Sequence, residues 1–275
     1  MIASFVLFWC AITFYVASSV GYAGALTFGR VDWRRWGMWL AVSGLLAHSA
    51  SLGLRWFQSG HGPYINTFEI LSSDVWIAVA FFLLLQRAMD KLAPLGAVVM
   101  PTAFLFMGFA LMGSTEAKAL PPSLRSGWLA VHVVFAKLMV ASMIVAAALS
   151  IFYLLKEKGG NKLRASLAHL PGPGVLDDYA YRISAFGFIA LTIMIIAGSI
   201  WANYSWGEYW SWDPTETWSL VVWFVYGLYL HGRITFRWKG TVSAWYLLGS
   251  FIFAVIAFFV IPYFVKSLHS QYMVG

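Results

Sequence analysis

The stretch WLAVHVVFAKLMVASMIVAAALSIFYLL, residues 128–155, decides the fold. It holds one charged residue, Lys137, and one histidine, His132. A helix crossing a bilayer needs about 20 consecutive apolar residues. A surface helix of a soluble protein shows a polar face at 3.6-residue spacing, and this run has none. It reads as a membrane span.

Runs of the same kind fill the chain on both sides. Eight segments are predicted, at Ile2–Phe28, Gly37–Leu54, Ile70–Gln86, Leu92–Gly113, Trp128–Leu155, Ile183–Ala202, Thr217–Leu230 and Thr241–Val265. The seventh is short and aromatic and needs its flanks to cross. Of 275 residues, 61% are hydrophobic and 11% charged, whereas soluble domains carry about 25% charged residues. The expected fold is all-α, a polytopic helical bundle forming one transmembrane domain over residues 1–275. The first segment opens Met-Ile-Ala-Ser without the basic region of a signal peptide, and it reads as a retained span.

The net charge of +7 does not indicate nucleic-acid binding, because the basic residues sit in short loops between apolar runs. Alternate loops differ sharply. One set holds Arg30, Arg34, Arg35, Arg87, Lys91, Lys156, Lys158, Lys162, Arg164, Arg182, Arg233, Arg237 and Lys239; the other holds Arg55, Lys118, Arg125 and Lys266. The positive-inside rule puts the first set in the cytoplasm, so both termini are expected outside. The connection between spans five and six, with Gly159-Gly160 and Pro171-Gly172-Pro173-Gly174, reads as the longest cytoplasmic loop and as partly mobile. Cys10 is the single cysteine. It excludes an internal disulfide or a C-x-x-C pair, so any thiol chemistry must use thiols from another protein.

The loop between spans six and seven faces outward and carries Glu208, Asp213 and Glu216 without a basic residue. Within it, WGEYWSWDPTETW (residues 206–218) places four tryptophans among Gly207, Asp213, Pro214 and Glu216. One reading is an interfacial aromatic belt. The other is an apolar shelf for a large planar ligand, with indole N–H groups and carboxylates fixing its edge. A belt does not call for Gly, Asp, Pro and Glu at set places among the rings.

These residues carry a family resemblance. WGEYWSWDPTETWSLVVWFVYGLYLH resembles the tryptophan-rich WWD signature of heme-handling proteins in cytochrome c maturation. Its continuation through Glu216, Trp218, Leu220, Trp223, Tyr226 and His231 is similar to the CcsA/ResC family of system II cytochrome c biogenesis. The CcmC and CcmF types share the tryptophan core but differ after the Asp. Also similar to that family are His48, Arg55-Trp56, Gly60-His61-Gly62-Pro63, Asn66 and Glu69, then Leu124, Trp128-Leu129 and His132, and the closing Ser267-Leu268-His269-Ser270.

The resemblance implies a heme-binding loop over residues 203–218, with Trp206, Gly207, Trp210, Trp212, Asp213, Glu216 and Trp218 positioning the ring. It implies His132 and His269 as the axial ligands of an outer heme b site; histidine is the usual ligand of heme iron. His231 lies fourteen residues past Thr217, about 21 Å along a helix. It is implied to be one half of an intramembrane site whose other half comes from a CcsB/ResB-type partner. Taken alone, His132 reads equally as a packing residue, His269 as a terminal polar residue, and His231 as a span end beside Arg233. His48 reads as packing or as lining a heme path, His61 as part of a turn, and His169 as solvated. Lys137 is costly in a bilayer; it snorkels, pairs with a carboxylate, or meets a heme propionate.

The implied function is heme transport and its covalent attachment to the C-x-x-C-H segment of apocytochrome c, as one subunit of a holocytochrome c synthase. The implied membrane is the bacterial inner membrane or the thylakoid, with the active side extracytoplasmic. No nucleophile or acid–base dyad is apparent, and Asp213 and Glu216 are expected to orient the loop or the substrate peptide. Three alternatives stand beside this: a heme exporter without synthase activity, a membrane cytochrome b using His48 and His132, and a structural subunit with an aromatic belt.

Overall fold

A computed structural model describes residues 2–116, 120–265 and 267. It is helical throughout, and among the described residues there is no strand. The elements are α1 (Ile2–Phe28), α2 (Val31–Ser59), α3 (Thr67–Ala88), α4 (Gly96–Ala110), α5 (Gly127–Lys158), α6 (Asn161–Ser166), α7 (Pro173–Trp206), α8 (Pro214–Ile234), α9 (Thr241–Val255) and α10 (Ile261–Phe264). A 3₁₀ turn, Asp90–Leu95, leads into α4, and a π turn, Ile256–Val260, joins α9 to α10.

Seven helices among the described residues are long and apolar enough to cross a membrane. α8 sits where the seventh span is predicted but is not one of them. Its indoles and phenols give an apolar run many polar handles. The other differences lie at helix ends. α7 begins at Pro173, ten residues before the predicted Ile183, because Asp177, Asp178 and Arg182 carry its first turns beyond the apolar region. The connection between α5 and α7 is tied down: Leu167 and Leu170 are buried, and Lys156 Nζ donates to the carbonyls of Leu170 (2.6 Å) and Pro171 (2.9 Å).

α5 is the centre of the bundle. Every residue from Met139 to Ser150 is buried, as expected of a helix apolar on all sides. Alanines and serines in that run let neighbours approach closely. α5 packs against α3, α4, α7 and α9. α1 and α2 form a hairpin, which meets the rest through α3 and α4.

Buried polar groups join the spans in pairs. His48, fully buried, lies 3.2 Å from Tyr15 Oη at Nδ1 and 2.8 Å from Ser72 Oγ at Nε2. Tyr22 Oη donates to Gln86 Oε1 at 2.6 Å. At one end of the bundle, Arg55 Nε meets Glu69 Oε1 at 2.8 Å, while its other nitrogens donate to the carbonyls of Thr115 and Glu116. At the other end, Arg233 pairs with Asp177 at 2.6 Å. Each contact satisfies groups that would cost several kcal/mol, on the order of 2–7, if buried unpaired.

Candidate functional site

A cavity of about 190 Å³ opens among α3, α5, α7, the start of α8 and the π turn. Its walls are mostly apolar, from Leu129, Val133, Ala136, Met194 and Phe259. Polar groups enter at set points: His132 and Lys137 from α5, Asp74 from α3, Thr215, Glu216 and Ser219 from α8. Tyr64 and Trp210 reach it from loops. Burial, and then the Glu69 carboxylate, push the Tyr64 phenol above its ordinary value.

His132 is held by α7. Its Nδ1 lies 2.9 Å from the Met194 carbonyl oxygen. A carbonyl only accepts, so Nδ1 carries the proton and the lone pair of a neutral ring sits on Nε2. This is how proteins fix a metal-binding imidazole through its other nitrogen. The close approach depends on Gly198, where an added Cβ would lie 2.6 Å from Nδ1 of His132. Trp201 flanks the ring at 6.3 Å between centroids.

The tryptophan loop is built from its two ends. Gly207, at φ 86°, terminates α7 and donates its N–H to Asn203; that left-handed conformation favours glycine. At the other end Asp213 caps α8, with Pro214 following it. Asp213 Oδ1 accepts from Thr215 N at 2.9 Å. Glu216 Oε2 accepts from Asp213 N (3.2 Å), Ser211 N (2.9 Å) and Ser211 Oγ (3.2 Å). This is a capping box with an added grip on the loop. Both carboxylates thus shape the backbone.

The four loop indoles do not share one plane or one surface. Trp210 lines the cavity and meets Trp212 edge-on at 5.9 Å. Trp212 has φ 58° and is 68% exposed. Trp206 packs edge-on against Trp201 at 4.9 Å. Trp218 turns inward against Phe253 of α9.

The other histidines lie apart. His231 is exposed in the last turn of α8, at the far end from the cavity. Its Nδ1 lies 3.3 Å from Thr235 Oγ1, and its ring meets Phe236 edge-on. His48 contacts Tyr15 and Ser72 through its two nitrogens and does not line the cavity that His132 enters. His61 is buried in its turn, with Nδ1 2.7 Å from the Gly62 carbonyl, and His169 is exposed. His269 lies outside the described residues. Ser267 is described: its Oγ is 3.2 Å from Thr215 Oγ1, at the first turn of α8.

Lys137 pairs with a carboxylate. Its Nζ is 3.0 Å from Asp74 Oδ1 and donates to Ser73 Oγ at 2.6 Å. Asp74, Ser73, Gly198 and the Met194 carbonyl are site groups that the sequence reading missed. Asp74 carried a usable signal, as an acid inside an apolar span; Gly198 carried none.

A family model described as Cytochrome C assembly protein matches residues 64–269. The cytochrome c biogenesis protein CcsA of Guillardia theta is 35% identical over 240 residues, covering 80% of this chain and 79% of that protein. CcsA of Synechococcus sp. (strain CC9605) is 35% identical over 266 residues, covering 86% and 84%. CcsA of Chlamydomonas reinhardtii is 36% identical over 231 residues, covering 81% and 62%. Among solved structures, the cytochrome c heme lyase CcmF superimposes with a TM-score of 0.72 at 17% identity. The match covers 98% of this chain and 48% of that one, a likeness of fold in which this chain spans about half the longer one.

Proposed function

The chain belongs to the cytochrome c assembly family, on its CcsA/ResC branch, and from that premise we propose that it presents heme b at the outer face of the membrane for covalent attachment to apocytochrome c. The observation that carries this reading is the orientation of His132: Nδ1 is committed to the Met194 carbonyl, and the ring lies in an apolar cavity bordered by Trp210. The residue set suits a porphyrin in kind, with an imidazole for iron, aliphatic and aromatic walls for the macrocycle, and polar groups at the margins. At about 190 Å³ the cavity is smaller than the roughly 300–1,000 Å³ of ligand sites. Taking up a porphyrin therefore requires the walls to part, Tyr64 and Trp210 being wall residues carried on loops.

In this reading the whole chain is one membrane domain of eight crossings with both termini outside, and residues 203–218 form its heme loop. The membrane is the bacterial inner membrane or its thylakoid counterpart. His132 and His269 hold the iron from two sides. His231, exposed on α8, faces a CcsB/ResB-type partner and shares with it a second heme site nearer the cytoplasm. A reduced C-x-x-C-H segment then approaches, and its histidine replaces one protein ligand. Each thiol adds across a heme vinyl group, sulfur bonding to one carbon and the proton going to the other. The chain contributes mainly alignment, which lowers such barriers by about 7–11 kcal/mol.

The test is His132→Ala in the full chain, co-expressed with the partner and a reporter apocytochrome. Holocytochrome formation should stop and be partly restored by imidazole. Full conversion by the variant without imidazole would refute the ligand assignment.

A further inference from the structure

We propose that Lys137 is the anchor for a carboxylate of the porphyrin substrate, fixing which edge of the ring points into the membrane. This deepens the reading of the His132 cavity and rests on it.

Among the described residues, the charged side chains lining the cavity are Asp74, Lys137 and Glu216. Glu216 is engaged by the backbone and hydroxyl of the tryptophan loop. Lys137 is thus the one cation on that wall, and it is 9% exposed. An ammonium has three N–H donors. Two are met, by Ser73 Oγ and Asp74 Oδ1. No acceptor meets the third among the described residues. An ammonium within a membrane span with fewer acceptors than donors is costly unless something more meets it, and Lys137 lines the cavity.

The placement matches a ring whose iron is central and whose carboxylates share one edge. His132 and Lys137 both sit on α5, five residues or about 7.5 Å of rise apart. They diverge sideways: His132 reaches the α7 carbonyl of Met194, and Lys137 reaches Ser73 and Asp74 of α3. Between them Val133 and Ala136 present an apolar floor. Iron on the α7 side and a carboxylate on the α3 side would set the ring across that floor. Asp74 holds the ammonium in place and balances it when no ligand is bound.

The probes are hemin and its dimethyl ester, which keeps the iron and ring and removes both negative charges. Each is titrated into the purified full chain by Soret absorbance. Wild type should prefer hemin by about tenfold or more, the scale of a charge-assisted hydrogen bond. Lys137→Met paired with Asp74→Asn, which leaves no lone buried charge, should bind both alike and keep the histidine-ligated spectrum. Lys137→Arg should retain the preference. Equal binding of the two probes by wild type, or a preference that survives in the double variant, would overturn the proposal while leaving the heme site standing. Binding of both probes unaltered by His132→Ala would remove the site itself, and the proposal with it.

Discussion

The carbonyl oxygen of Met194 accepts a 2.9 Å hydrogen bond from Nδ1 of His132, so α7 fixes which nitrogen of an imidazole on α5 carries the proton. That bond is possible only because residue 198, one turn further along α7, has no side chain. The proposed ligand and the residue that steers it come from different spans.

Gly198→Ala is therefore expected to disable the site without touching the ligand. The new methyl would lie 2.6 Å from the ring nitrogen, and overpacking of this kind costs about 1–3 kcal/mol. Pyridine-hemochrome analysis of the purified complex should show heme content falling about tenfold, with expression and membrane insertion unchanged. Wild-type heme content in this variant would mean the ring is not where the cavity needs it.

His48→Leu should behave in the opposite way. Tyr15 and Ser72 would lose their shared partner, a loss of about 1–3 kcal/mol. A lower melting temperature in detergent is expected, with an unchanged Soret spectrum per folded molecule. A spectral change would return His48 to the candidates for an iron ligand.

The tryptophans should separate by position. Trp210→Ala opens the cavity wall and should lower heme retention several-fold. Trp212→Ala removes a ring that is 68% exposed and should spare heme content while slowing transfer to apocytochrome. Equal heme loss in both variants would contradict the division.

Glu216→Ala removes the acceptor for three loop donors. Loss of a cap costs about 0.5–2 kcal/mol. Limited proteolysis with chymotrypsin should cut between residues 206 and 213 in the variant sooner than in wild type. Glu216→Gln, which can still accept, should fall between the two. Identical cleavage rates would show that the loop is held by its rings alone.

Much of this was legible in the residues, and the reasons are local. Apolar runs mark spans because the bilayer tolerates little else, so the cores of seven helices coincide with predicted segments. Helix ends were harder. The first turns of α7 are charged and lie outside the apolar region, and hydropathy cannot see them. The Asp-Pro-Thr-Glu spacing at residues 213–216 marks a helix start, which is why orienting roles for both acids could be expected. The partner of Lys137 was not legible, because Asp74 is 63 residues away and only tertiary packing pairs them. Nor was the unequal placement of the tryptophans, since four similar residues in a short loop carry no mark of which will face inward.

The π turn at Ile256–Val260 makes the end of the last long helix unusually tolerant of one kind of change. A π turn holds one residue more than the α-helical repeat, so a deletion there can be absorbed by reverting to ordinary α geometry. The penalty would fall on the turn itself: the chain beyond it keeps its facing, with Ser267 still beside Thr215, while Phe259, which lies inside the turn, shifts on the cavity wall. That surplus residue thus acts locally, as a shim behind one point of the cavity wall.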